Sequence, residues 1–159
     1  MSEQARTGAG AAAPQSVGFI LSQLGFATSR RFGQLVATLG LEPRHFALLR
    51  AVRDADGQSQ QAVAERLQIP ASTMVALIDH LEQQKMLERR PHPTDRRTRL
   101  LHLTGHGTDV LAQATMLGAQ WESTITAGLS TAEREQLLAL LQRIAVNIGV
   151  PAGELPDHG

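Results

Sequence analysis

Apolar residues recur at steps of three and four along most of this chain, and the rhythm gives way to an extended pattern at one place, between Leu87 and Leu103. A period of three to four keeps side chains on one face of an α-helix. The chain is therefore a helical body interrupted by one short β element. Composition agrees: aromatic residues are 3% of the 159, while Ala and Leu, good helix formers, are abundant.

The first periodic segment, Ser16–Leu39, carries Val17, Ile20, Leu21, Leu24, Thr28, Phe32, Leu35, Val36 and Leu39 on one face, and Gly40 supplies a left-handed cap. Pro43 suits the first position of a second helix, apolar nearly all round and hence central, which stops at Asp56-Gly57. Ser59 caps a short third helix with Val63, Ala64 and Leu67 inward, and Gln68-Ile69-Pro70 breaks it. A fourth helix, about Ala71–Lys85, buries Met74, Ile78 and Leu81 and leaves Thr73, Ala76, Asp79, His80, Gln83 and Gln84 on its other face. Two such helices joined by a short break predict a helix-turn-helix. Leu87–Arg90 and Arg99–Leu103 then read as strands of a β-hairpin, with Pro91, Pro93 and Thr94-Asp95 in its loop. Thr104 caps a fifth helix near Gly105–Leu129, striped by Val110, Ala114, Leu117, Trp121 and Ile125. Ser130-Thr131-Ala132-Glu133 is a capping box opening a sixth helix that runs to about Ile148. Residues 1–15 are expected to be a mobile tail without the apolar core of a signal peptide, and 149–159 a loose tail.

Net charge is zero, but its distribution is not even. Residues 1–99 hold 13 of the 15 basic and 9 of the 15 acidic residues, and Lys85, Arg89, Arg90, Arg96, Arg97 and Arg99 crowd the hairpin. Fourteen of the 15 cations are Arg, the side chain suited to bidentate phosphate and base-edge contacts. Such a stripe points to a polyanion met at one surface, or to a solvated charge run. The absence of Cys excludes disulfides, thiolate metal sites, cysteine nucleophiles and thiol redox sensing. No apolar run of ~18 residues is available to span a membrane, and the cytoplasm is the expected compartment.

The segments Ser59–Leu67, Ser72-Thr73-Met74-Val75 and Leu77-Ile78-Asp79-His80-Leu81-Glu82 are followed by Leu87-Glu88-Arg89-Arg90-Pro91-His92-Pro93-Thr94-Asp95-Arg96-Arg97 and then Leu103-Thr104-Gly105-His106-Gly107. With these residues Gln58–Gly107 resembles the MarR family of bacterial transcription regulators, the Asp95-x-Arg97 core being its most specific piece. The resemblance implies a mostly α fold: a winged helix-turn-helix at 41–104 with a two-stranded β-wing, and long N- and C-terminal dimerisation helices at 16–40 and 105–148. It implies a homodimer that binds a double-stranded, pseudo-palindromic operator, with repression as the default outcome. Three long amphipathic helices independently suggest more apolar surface than one small domain buries.

The resemblance puts Ser72, Thr73, Val75 and Ala76 of the recognition helix against base edges, the hydroxyls to bases or phosphates and the methyls to thymine. Ser72 and Thr73 are equally suited to capping the helix. Many relatives carry Arg where this chain has Ala76 and His80, so guanine readout from this helix is expected to be weak. By the same resemblance Arg97 enters the minor groove, Asp95 holds the hairpin by an ion pair or turn hydrogen bond, and Arg89, Arg90, Arg96 and Arg99 meet phosphates or support the wing. It further suggests a small aromatic or lipophilic acid as effector, lined by Phe19, Phe26, Arg30, His45, Met116 and Trp121, with Arg30 or His45 pairing its carboxylate. Alternatively, Phe19, Phe26 and Met116 are dimer core and Arg30 is solvated. No cofactor or metal is expected: His102/His106 and Glu42/His45 have metal-like spacings, but His102 falls on a strand and His106 at a helix start. No nucleophile elbow, P-loop or dinucleotide fingerprint occurs, which argues against an enzyme. The rival is a helical dimeric protein–protein adaptor that binds no DNA.

Overall fold

A computed structural model describes residues 16–150. Among them the chain forms α1 (Val17–Ala37), α2 (Pro43–Asp54), α3 (Gln60–Arg66), α4 (Ala71–Gln83), β1 (Leu87–Pro91), β2 (Arg99–Leu103), α5 (Gly105–Ile125) and α6 (Thr131–Asn147). The expected tails, 1–15 and 149–159, lie outside the described residues except for 149 and 150. The chain divides into two compact units, the boundary falling inside α1 after Arg31.

The described part of the first unit is the N-terminal stretch of α1. The Ser16 hydroxyl accepts from the Phe19 amide at 3.2 Å, capping the helix. Val17, Phe19, Leu24 and Phe26 are exposed along it.

In the second unit α1 ends earlier than its apolar rhythm suggests, at Ala37 rather than Leu39. Thr38 and Leu39 form the closing turn, and Gly40 takes the left-handed conformation (φ +72°) while the Leu41 amide reaches back to the Val36 carbonyl at 3.1 Å. The core gathers side chains from every later element up to mid-α5: Val36, Leu48, Leu49, Val52, Val63, Met74, Ile78, Leu81, Leu87, Leu101 and Leu111 are all sealed from solvent. Each buried Val, Leu, Ile or Met contributes about 1.5–3 kcal/mol. Phe32 meets Phe46 edge to face at 5.3 Å, closing the core at the foot of α1.

α3 starts at Ser59, whose hydroxyl accepts from the Ala62 amide at 3.1 Å. It ends where Gln68 turns left-handed (φ +54°), and Pro70 opens α4. α4 also stops short of the expected Lys85. Lys85 itself is left-handed (φ +57°), a conformation glycine usually takes, and the Met86 amide closes the turn on Leu81 O at 2.9 Å.

β1 and β2 pair antiparallel in the register Leu87↔Leu103, Arg89↔Leu101 and Pro91↔Arg99. The α2–α3 loop adds a short third partner. The Gly57 amide donates to Leu101 O at 3.1 Å, the Leu101 amide donates to Gln58 O at 2.9 Å, and Ser59 bridges Leu100.

Thr104 then roots α5. Its hydroxyl donates to Lys85 O at 2.6 Å and accepts from the Gly107 amide at 2.9 Å, and its own amide donates to Met86 O at 3.1 Å. Gly107 has to lack a side chain, since a Cβ there would sit 1.9 Å from Met86 O. Beyond Ala114 the stripe on α5 is half-buried at Leu117 and Trp121 and opens to solvent at Ile125, and Met116 beside it is exposed. The capping box of Ser130 and Glu133 opens α6, yet no side chain of α6 is buried, and Leu137, Leu138, Leu141 and Val146 are exposed.

Candidate nucleic-acid interface

α4 buries Met74, Leu77, Ile78 and Leu81, which turns the first two turns of its opposite face outward. Ser72, Thr73, Val75 (41% exposed) and Ala76 all lie on that face. The N-cap is Pro70, so neither Ser72 nor Thr73 caps the helix. Among the described residues their hydroxyls have no hydrogen-bond partner. The helix therefore presents two free hydroxyls and two methyl-bearing side chains, a set suited to base edges and thymine methyls.

The hairpin tip is held by Asp95. One carboxylate oxygen accepts from the Arg97 amide at 2.9 Å and the other from the Thr98 hydroxyl at 2.6 Å, while the Thr98 amide donates to Asp95 O at 3.1 Å. The Thr98 hydroxyl first, and the Arg97 amide second, hold this exposed carboxyl below the usual carboxylate range. His92 Nδ1 accepts from the Asp95 amide at 3.2 Å and the Thr94 amide at 3.3 Å. Of the two ways to hold the wing predicted from sequence, the turn hydrogen bond is the one observed.

The arginines divide into two groups. Arg96, Arg97 and Arg99 are exposed, and among the described residues their guanidinium groups have no partner. Arg89 and Arg90 are engaged. Arg90 Nε donates to Glu88 at 2.8 Å. Arg89 Nη2 donates to Asp79 at 2.6 Å, its Nη1 to Glu82, and its Nε to Gln60 at 3.4 Å, while its backbone amide donates to Glu82 at 2.8 Å. Between the α3–α4 turn and the wing runs a groove of about 760 Å³, lined by Ser59, Gln60, Gln68, Ala71, Arg97 and Arg99 among others.

Sequence reasoning missed the acidic partners of Arg89. Asp79 and Glu82, three apart on a helix followed by an Arg-bearing strand, were the available signal. His80, on the face of α4 opposite its buried stripe, is half-buried there, and its ring stacks on His45 at 4.5 Å with 11° between planes.

The residues named for an effector fall in both units. Phe19, Phe26 and Arg30 are exposed on α1, and Met116 is exposed on α5. Trp121 is half-buried, and its indole N–H lacks a partner among the described residues. His45 is only 5% exposed and its Nδ1 accepts from the Glu42 amide at 3.1 Å. Burial first, and His80 second, push its pKa below that of a free imidazole, which makes it a poor cation for a carboxylate. His102 Nδ1 lies 2.9 Å from Asp56 Oδ1, and among the described residues no three metal-ligating side chains converge.

Residues 39–98 match the model of the MarR family. Over 129 residues the chain is 32% identical to a proposed transcriptional regulatory protein for the hcr operon of Thauera aromatica, covering 80% of this chain and 78% of that one. Among solved structures it is similar to the transcriptional repressor CouR bound to a 23-mer DNA duplex, at 32% identity and TM-score 0.73 over 82% of this chain and 92% of that one. The PcaV transcriptional regulator of Streptomyces coelicolor shares the fold, at 24% identity and TM-score 0.72, over 85% and 98% of the two chains.

Proposed function

Because this chain belongs to the MarR family, and so is a DNA-binding transcription regulator and not an enzyme, we propose that it represses transcription as a homodimer seated on a pseudo-palindromic operator. The observation that carries this reading is the pairing, on one unit, of an outward α4 face with free hydroxyls and a wing whose Arg96, Arg97 and Arg99 have no acidic partner among the described residues.

In this reading residues 41–104 form the DNA-binding domain. The first turns of α4 enter the major groove, which admits one helix, and set Ser72, Thr73, Val75 and Ala76 against base edges. Arg97 enters the adjacent minor groove, where negative potential is focused, and Asp95 keeps the tip in shape for it. Arg96 and Arg99 neutralise phosphates, and Arg90 does so from its exposed pair with Glu88. Each neutralised phosphate releases condensed counterion, so affinity falls steeply with salt.

Segments 16–40 and 105–148 dimerise the protein. The exposed Phe19, Leu24 and Phe26 of α1 on one unit, and Leu137, Leu138, Leu141 and Val146 of α6 on the other, are each apolar surface that a second copy would cover. Two recognition helices then read half-sites about 34 Å apart. A small aromatic or lipophilic acid acts as effector in this proposal, with the exposed Arg30 as its cation and Phe19 and Phe26, on the same stretch of α1, as its apolar neighbours.

Selection of bound sequences from random duplexes, followed by binding titrations at several salt concentrations, tests the reading. A two-fold-symmetric site bound in a salt-sensitive way by a dimer in sedimentation supports it. A monomer, or a protein that binds no duplex, as a helical adaptor would, refutes it. Addition of benzoate-type acids to the preformed complex tests the effector arm separately.

A further inference from the structure

One guanidinium joins three elements of the reading head. Arg89 on β1 reaches Asp79 at 2.6 Å and Glu82, both on α4, and Gln60 at 3.4 Å on α3. All three of its nitrogens are in use, and its side chain is only 21% exposed. The backbone takes part as well. Leu101 turns both of its backbone groups toward Gly57 and Gln58, so Arg89, its partner in the register, turns its own amide outward. That amide is where Glu82 accepts a hydrogen bond, at 2.8 Å.

We propose that Arg89 is a positioning residue: it braces the wing against the recognition helix and acts on DNA through Arg97, not by touching phosphate itself. The proposal rests on the DNA-binding reading above. A two-stranded hairpin is marginal alone and takes its direction from what holds it. On the β2 side the α2–α3 loop supplies that support, and on the β1 side Arg89 and Glu82 supply it. From Arg89 the wing projects roughly 15 Å at about 3.3 Å per residue. A tilt of about 10° at the base therefore moves the tip by about 2–3 Å, enough to take a guanidinium out of hydrogen-bond reach. To meet a phosphate, Arg89 would have to abandon a carboxylate and leave it uncompensated beside a polyanion. The brace also offsets one of the two negative charges of Asp79 and Glu82, which otherwise repel the duplex from the flank of α4.

Charge arithmetic makes the test sharp, because it predicts the opposite sign. Glu82→Gln removes a negative charge next to DNA, so field effects alone would tighten binding. The brace predicts that Glu82→Gln weakens binding to the selected operator by about tenfold, and Asp79→Asn by a smaller factor in the same direction. Affinity for a scrambled duplex of equal length should stay the same or rise, which a mere loss of folded protein would not produce. In an Arg97→Ala background the Glu82→Gln loss should shrink to less than about twofold, since coupled residues are not additive. Fluorescence anisotropy at fixed salt, with melting curves for each variant, reads all of these. Operator binding by Glu82→Gln that equals or exceeds wild type, additive losses with Arg97→Ala, or equal losses on both duplexes would overturn the brace. Failure of the wild-type protein to bind any duplex would instead overturn the DNA-binding reading, and the brace with it.

Discussion

Replacing Gly107 by alanine sets a local propensity against a packing constraint, and the two predict opposite signs. Gly107 lies in the first turn of α5, where alanine favours the helix by roughly 0.5–1 kcal/mol. The added Cβ, however, would lie 1.9 Å from Met86 O, against an ordinary carbon–oxygen contact of about 3.3 Å. Backbone must therefore move by more than about 1 Å on one side of the contact. What moves is the root of α5, where the Thr104 amide holds Met86 O at 3.1 Å and the Thr104 hydroxyl holds Lys85 O at 2.6 Å. Overpacking costs about 1–3 kcal/mol, and weakening two hydrogen bonds adds about 0.5–1.5 kcal/mol each. With the helix gain subtracted, the expected net loss is about 1–5 kcal/mol. At 2–4 °C per kcal/mol for a chain of this size, a loss of ~3 kcal/mol lowers Tm by about 6–12 °C. Urea unfolding at fixed protomer concentration measures it. Gly105→Ala is the control, in the same turn with nothing within 4 Å of its would-be Cβ, and should be neutral or slightly stabilising. Equal stability of the two variants would refute the packing argument.

Arg97→Ala should weaken operator binding by roughly 1–3 kcal/mol at fixed salt without lowering Tm; an unchanged isotherm would remove Arg97 from the interface. Lys85→Gly should raise unfolding stability by about 0.5–1 kcal/mol, because glycine relieves the left-handed backbone at φ +57° by more than it loosens the unfolded chain; a loss in urea titration would count against this. The lowered pKa of His45 means the unfolded chain binds the proton more tightly. Its contribution is thus complete above the free-imidazole pKa of about 6.5 and is lost as pH falls toward the folded-state pKa. His45→Asn, which keeps a side-chain acceptor, should flatten the stability profile between about pH 7.5 and 5, as followed by urea midpoints. A profile as steep as wild type would show that another group dominates.

Local signals were legible in the sequence because they are local. Ser59, Thr104 and Ser130 each accept from the amide three residues on, and Gly40 caps α1 with positive φ. The hairpin was legible for the same reason: prolines and Asp95 enforce its tip within seven residues. What stayed hidden depends on distant partners. The end of α4 was misjudged because a lysine occupies the position where glycine would have marked the turn. The brace on Arg89 needs β1 to fold back on α4 and draws in Gln60 from α3, and the stack of His80 joins α2 to α4; neither pairing is stated by the local pattern. The leucines of α6 were legible as an apolar stripe, but amphipathicity alone does not say whether a core or a second chain will cover it.

The bond from the Arg89 amide to Glu82 also bears on solubility. β1 is an open margin of the sheet, and an unpaired strand margin can template pairing with a stranger's backbone. Here that margin is closed: Pro91 has no amide to offer, Arg90 is charged, and the outward donor of Arg89 is occupied by a carboxylate. Losing that acceptor altogether, as in Glu82→Ala but not in Glu82→Gln, would thus do more than loosen the wing. It would free a strand for cross-chain β-pairing, and preparations of such a variant should aggregate at concentrations the parent protein tolerates.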